Sequence, residues 1–144
     1  MNDIPAETRT VVVERELAHP PAKVWRALTQ LHLIAEWLMP NDFEPVVGRA
    51  FTLRAQPQGG WNGIIDSKVL EIEPGKTLSY TWDSGDGALR VTSVVRFTLA
   101  PSEGGTRLRM EQSGFRSEQV QNFQGARYGW RTFLGRLDEL LARD

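Results

Sequence analysis

Two polar side chains fall on strand faces that are otherwise apolar. In the alternation Leu89, Val91, Ser93, Val95, Phe97, Leu99 a hydroxyl takes an inward position, and in Leu108, Met110, Gln112 an amide does. A buried amide without partners costs about 1–3 kcal/mol, whereas inside a ligand cavity it can bind water or ligand. The spacing leaves two readings of Gln112 open: a cavity wall, or a strand end with solvent access. Two arginines pose a similar question. Arg15 shares the register of Val11, Val13 and Leu17, where an ion pair at the sheet edge is expected to neutralise it. Arg127 sits at the edge of the apolar arc of a C-terminal helix. Its guanidinium either reaches a cavity and offers planar donors to a carboxylate or carbonyl, or snorkels to solvent along its aliphatic stem.

Residues for covalent or acid–base chemistry are sparse. The chain has no cysteine, hence no thiolate nucleophile, disulfide or thiolate metal site. His19, ahead of Pro20 and Pro21, reads as a turn histidine, and His32 as an exposed residue of a short helix. Asp42, Glu44 and Asp66 show no spacing that marks a catalytic pair. Ser-Gly-Asp-Gly at 84–87 reads as a hairpin turn, and there is no nucleophile elbow, phosphate loop or zinc-ligand motif. No catalytic residue and no metal ligand is assigned, and no metal, nucleotide or organic cofactor is expected.

The elements that must position these residues follow from periodicity. Residues 1–8 read as a polar tail and 9–144 as one domain. A strand over 9–17 ends at Pro20–Pro21. The two prolines open a helix with Val24, Trp25 and Leu28 at helical spacing, because proline is tolerated where an N–H would have no partner. A second short helix covers Leu31 to Leu38 and stops before Pro40. From Phe51 and Leu53 onward the period is 2. Strands follow at "GIIDSKVLEIEP", "TLSYTW", "LRVTSVVRFTL" and "TRLRMEQSGF", joined by turns at 73–76, 84–87 and 101–105. The last element is a helix over about 118 to 141, N-capped by Ser117, with Val120, Phe123, Trp130, Leu134, Leu137 and Leu141 on one stripe. Its glycines are unexpected, since each costs about 1 kcal/mol against alanine in a helix interior. A side chain at Gly129 is expected to fill space that the sheet or a pocket mouth needs, and Gly125 to serve the same end.

At 144 residues, 40% hydrophobic and 24% charged, with a net charge of −1, the chain has the composition of a soluble globular domain. The lack of basic excess argues against nucleic acid and membrane surfaces as partners. No apolar run approaches a membrane span, and the N-terminus has no secretory signature, so a cytoplasmic location is expected.

The motif Pro21-x-x-Val24-Trp25-x-x-Leu28-Thr29, then Trp37, "VLEIEPGKTLSYTW" (69–82), "GGTRLRMEQSGF" (104–115) and Gly129-Trp130 with Leu134 and Leu137 resemble the START-like (SRPBCC) helix-grip superfamily. They are most similar to its branch named after the activator of heat-shock-protein-90 ATPase. Gln30 and Leu31 stand where such proteins often carry Asp-Pro. The resemblance implies an α+β helix-grip fold: a curved antiparallel sheet around a long C-terminal helix, two short helices after the first strand, and an apolar cavity between. The superfamily hosts lipid carriers, cyclases, stress proteins and chaperone cofactors, so fold alone does not select among them.

The cavity candidates are Trp37, Phe51, Leu53, Tyr80, Trp82, Ser93, Gln112, Phe123, Arg127 and Trp130, the aromatics either lining a pocket or plugging it. Energetics limits the choice. A dry void of about 300 Å³, the small end for ligand sites, costs about 7 kcal/mol at about 24 cal/mol per Å³, comparable to a whole domain's stability of about 5–15 kcal/mol. The cavity must be wet, open or filled. The leading expectation is non-enzymatic binding of a small apolar or amphipathic ligand, by a monomer or homodimer. The alternatives are a chaperone-docking module and a cyclase or hydrolase that uses the cavity.

Overall fold

The computed structural model describes residues 8–86 and 90–143. Its elements are β1 (Thr8–Leu17), α1 (Pro21–Thr29), α2 (Leu31–Trp37), β2 (Ala50–Arg54), β3 (Ile64–Glu73), β4 (Thr77–Ser84), β5 (Val91–Ser102), β6 (Gly105–Arg116) and α3 (Val120–Arg143). The strands form one curved antiparallel sheet in the order β1-β6-β5-β4-β3-β2, and α3 packs on one face of it. This is the α+β helix-grip architecture the sequence predicts.

The buried face of α3 is Trp130, Leu134, Leu137, Leu140 and Leu141. The sheet meets it with Val91, Ser93, Val95, Phe97 and Leu99 from β5 and Leu108, Met110 and Gln112 from β6, all inward by alternation. α1 starts with Pro21 in its first turn, as the missing N–H permits. One extended residue, Gln30 (φ −97°, ψ 122°), ends α1 and precedes α2. The Trp37 indole N–H donates to the Ala27 carbonyl at 2.8 Å and fastens α2 to α1.

An aromatic chain fills the interior on the β2–β5 side. Ring centroids lie 5.1 Å apart for Phe43–Phe51, 5.1 Å for Phe51–Tyr80, 6.0 Å for Tyr80–Phe97 and 6.2 Å for Trp37–Phe97. Edge-to-face and tilted contacts at these separations suit the ring quadrupoles. Aromatics that were candidates to line a pocket thus plug this part of it.

Two boundaries differ from the sequence reading. The helix starts at Val120, not 118, because residues 116–119 form a tight turn. The Gln119 N–H donates to the Arg116 carbonyl at 2.9 Å, and the Arg116 N–H donates to the Gln119 side-chain oxygen at 3.0 Å. Ser117 lies inside that turn and does not cap the helix. The 101–105 turn is shorter than expected, since β5 and β6 pair out to Ser102–Gly105 and leave only Glu103 and Gly104 between them. The expected tail, apart from Thr8 in β1, and the expected strand residue Leu89 lie outside the described residues, as does the end of the 84–87 turn.

Candidate functional site

The two polar residues on apolar faces meet. The Trp130 indole N–H donates to the Gln112 Oε1 at 2.8 Å. The Gln112 Nε2 donates to the Ser93 Oγ at 2.9 Å. The Ser93 hydroxyl donates to the Trp82 carbonyl at 2.7 Å. The relay runs from α3 through β6 and β5 to β4, and Trp130, Gln112 and Ser93 are all buried. The polar groups are satisfied within the protein, which removes the penalty an isolated amide would carry. Gln112 is not solvated at a strand end; its side chain forms part of a cleft wall.

A bulge brings a second wall into place. β1–β6 pairing skips Gly114: Arg9 faces Phe115 and Thr10 faces Ser113. Gly114 has φ 111°, and a Cβ there would stand 2.9 Å from the Thr92 carbonyl oxygen. Glycine meets both demands. The extra residue reverses the alternation, so that inward positions pass from Met110 and Gln112 to Phe115. Phe115 packs edge-on against Phe123 of α3 at 5.8 Å.

Between these walls and the first half of α3 lies a cleft of about 180 Å³. Its lining includes Trp82, Val91, Phe115, Trp130 and Phe133, with the Gln112 amide among them and Asn122 and Ser84 at the margin. The helix contributes Gly125, Ala126 and Gly129. A Cβ at Gly125 would meet nothing within 4 Å, and one at Gly129 only the Phe133 ring at 4.0 Å. Close approach to the sheet therefore does not demand these glycines, contrary to one branch of the expectation; both border the cleft, and the space beside each is open.

The cleft adjoins an outer groove of about 870 Å³, with which it shares Ser84, Val91, Asn122 and Gly125. The far bank of the groove is Trp61, held by a two-residue turn. The Gln58 N–H donates to the Trp61 carbonyl at 3.0 Å, and the Trp61 N–H donates to the Gln58 carbonyl at 2.7 Å. Gly59 (φ 50°) and Gly60 (φ 87°) occupy the two positive-φ positions that such a turn requires. A third hollow of about 510 Å³ shares Phe133 and carries Arg54, Arg136 and Glu36.

Of the sequence candidates, Trp82, Gln112 and Trp130 line the cleft, Ser93 holds Gln112 from behind, and Phe123 backs Phe115. Trp37, Phe51, Leu53 and Tyr80 are buried in the core and outside the cleft lining. Arg127 is exposed and lines none of the three hollows. It lies two residues from both Gly125 and Gly129, about 200° around the helix from each, and so projects away from the cleft. Arg15 does form an ion pair, but its partner is Asp138 of α3, at 3.4 Å. Sequence reasoning missed Phe115, Asn122, Phe133 and the groove residues Trp61 and Gln121. Gly114 as a bulge and Gly59–Gly60 as a tight turn were the signals that could have found Phe115 and Trp61.

The shifted titratable groups lie elsewhere. Burial pushes the Tyr80 hydroxyl well above its ordinary value. On the outer face of the sheet, a hydrogen bond from Arg107 lowers the Glu16 carboxyl, and the same bond raises Arg107; a hydrogen bond to Glu111 raises Arg109. Among the described residues, no cluster of three or more His, Asp or Glu could hold a metal ion, and no helix is long and apolar enough to cross a membrane.

A long C-terminal helix gripped by a six-stranded antiparallel sheet, with a cleft opening under its first half, defines the START-like helix-grip class. The chain belongs to the family described as Activator of Hsp90 ATPase homolog 1-like protein, whose model matches residues 18–142. It is similar to the crystal structure of protein MLL2253 from Mesorhizobium loti: 55% identity, 94% of this chain and 98% of the other covered, TM-score 0.87. The fold is shared with Mll3558 from Rhizobium loti, at 22% identity over 95% of this chain and 99% of the other, TM-score 0.82. It is also shared with DynU16, a protein of the dynemicin biosynthetic locus, at 23% identity over 92% of this chain and 47% of the other, TM-score 0.79. No curated protein matches the chain.

Proposed function

We propose that the protein is a non-enzymatic carrier or sensor that binds a small amphipathic ligand in the cleft under α3. The observation that carries this reading is the pairing of an aromatic wall (Trp82, Phe115, Trp130) with a helix face stripped of side chains at Gly125 and Gly129. At these two positions the helix carries the propensity cost of glycine, and the missing side chains leave space that borders the cleft. The cleft alone, about 180 Å³, is smaller than the roughly 300–1,000 Å³ of most ligand sites. A ligand would therefore place an apolar body inside and extend into the outer groove. An open cleft also avoids the cost of a dry enclosed void.

The test is native mass spectrometry of the protein as purified from cells, together with tryptophan fluorescence during titration with alkyl-chain probes. Adducts or saturable quenching that disappear in Gly129→Leu, with the fold intact by circular dichroism, support the reading. Absence of any adduct and of any saturable change would leave it without support and favour a docking role on a chaperone, tested by pull-down with a purified heat-shock-protein-90-type ATPase.

A further inference from the structure

The outer groove differs from the cleft in chemistry. It presents the exposed amides of Gln58, Gln121 and Asn122, the Ser84 hydroxyl, the indole of Trp61 and, among the described residues, a single ionisable side chain, Asp86. No described lysine or arginine lines either the groove or the cleft. Two arginines of α3 are directed elsewhere: Arg127 is exposed and lines no hollow, and Arg136 lies over the Phe133 ring in the third hollow. Arg90, next to Val91, is tied to the Gly85 carbonyl at 3.0 Å and the Asp66 carboxylate at 3.4 Å. A carboxylate or phosphate in the groove would face Asp86 with no counter-charge, and like charges at close range suppress binding. Amides pair with groups that both donate and accept, as hydroxyls do. Trp61 is half-buried, its indole nitrogen is enclosed without a partner, and what it shows to the groove is apolar ring surface, which suits the C–H side of a pyranose or polyol.

We propose that the outer groove recognises an uncharged, hydroxyl-rich head group, a sugar or polyol, on a ligand whose apolar body enters the cleft. This rests on the ligand-binding reading above and gives the ligand its chemical class: a neutral glycoside or polyol ester, not a fatty acid or phospholipid-like anion. Trp61 supplies the stacking platform from its two-glycine turn. Gln121 and Asn122 supply hydrogen bonds from the opposite bank, one turn of α3 ahead of the gap at Gly125.

Four probes with one eight-carbon chain separate the possibilities: octanol, octyl β-glucoside, octanoate and octyltrimethylammonium, each below its micelle threshold. Binding is read by tryptophan fluorescence and by competition against the glucoside. The expected order places the glucoside about tenfold tighter than octanoate, and also tighter than octanol. Trp61→Ala should weaken the glucoside about three- to tenfold, the worth of an aromatic contact, and leave octanol unchanged. Gln121→Lys, on an exposed helix face, should raise octanoate affinity relative to the glucoside. Octanol binding as tightly as the glucoside, or Trp61→Ala leaving the glucoside preference intact, would refute the head-group assignment while the cleft reading stands. Displacement of the glucoside by octanoate or the ammonium probe at equal or lower concentration would refute it in the same way. If none of the four binds, the cleft reading falls and this one with it. An anion that bound only in the third hollow would not compete with the glucoside, so competition keeps the two sites apart.

Discussion

The indole N–H of Trp130 lies 2.8 Å from the side-chain oxygen of Gln112, and this bond joins the long helix to β6, the second strand of the sheet, at the edge of the cleft. Trp130 also packs on Trp82 at 5.1 Å, Phe133 at 5.6 Å and Phe97 at 5.7 Å. Its substitutions separate packing from hydrogen bonding. Trp130→Ala should cost about 3–5 kcal/mol, the range for large aromatic truncations in cores. Trp130→Phe keeps most of the ring contacts but orphans the amide oxygen, at about 1–3 kcal/mol. Combining it with Gln112→Leu should cost less than the sum of the singles, by about 0.5–3 kcal/mol. Strictly additive costs in urea unfolding would show that the bond contributes nothing.

The glycines of α3 predict opposed effects on stability and binding. Gly125→Ala and Gly129→Ala should each stabilise by about 0.5–1 kcal/mol through helix propensity, because the new methyl meets at most the Phe133 ring at 4.0 Å. Gly125→Leu and Gly129→Leu should close the cleft and abolish probe binding. Gly135, where a Cβ also meets nothing within 4 Å and which lines none of the three hollows, is the control: Gly135→Ala should stabilise without affecting binding. Thermal melts paired with fluorescence titrations decide this. Destabilisation by either cleft alanine would mean that the helix packs more tightly there than described.

Arg15 should prove expendable. Its ion pair with Asp138 is long, at 3.4 Å, and its two side chains are 38% and 39% exposed. Such pairs contribute about 0–1 kcal/mol. Its Nε is buried without a partner, a cost that an apolar side chain would remove. Arg15→Met should be neutral or slightly stabilising in denaturant unfolding. A loss above about 2 kcal/mol would identify the guanidinium as a structural anchor, beyond the worth of an exposed pair.

Tyr80 predicts an alkaline limit. Burial holds its proton on in the folded chain, above the ordinary value of 10.0. The native state therefore keeps a proton that the unfolded state releases. Stability is fully present below about pH 10 and falls as pH rises past it. Tyr80→Phe removes that dependence. Unfolding free energies at about pH 9 and about pH 11 should converge for the variant relative to the parent. Equal alkaline losses in the two proteins would show that Tyr80 is not the group responsible.

The fold was legible because period and punctuation agreed. Pro20–Pro21, the Glu-Pro-Gly-Lys turn and the alternation from Val91 to Leu99 each had one consistent reading. Resemblance over the same stretches gave the helix-grip topology. The site was legible only in part. Ser93 and Gln112 stood out as polar groups on apolar faces, and they do meet, but in a closed relay with Trp130 that no single-strand pattern could reveal. Phe51, Leu53 and Tyr80 carry the same alternation as Trp82, and nothing local says which aromatics plug the interior and which border the opening. Arg127 stayed open because a position at the edge of a helical arc has two outcomes, and the solvent one holds since the flanking gap lies on the other side of the helix. Phe115 was hidden by parity: strict alternation turns it outward, and only the bulge at Gly114 brings it in.

The position of β1 governs the order in which the molecule can be assembled. This first strand has one neighbour in the sheet, β6, and Glu16 meets Arg107 across 91 residues of sequence. On the ribosome, β1 emerges long before the only strand that can pair with it, and α3, which covers their shared core, comes later still. Hairpins β2–β3 and β4–β5 can form as they appear, while Val11 and Leu17 wait without a partner. Such non-local closure is slow, in the millisecond-to-second range typical of sheet-dominated topologies. The apolar positions of β1, Val11 and Leu17, are thus the last to gain their partners, and the stretch of synthesis before β6 and α3 arrive is the one most open to aggregation.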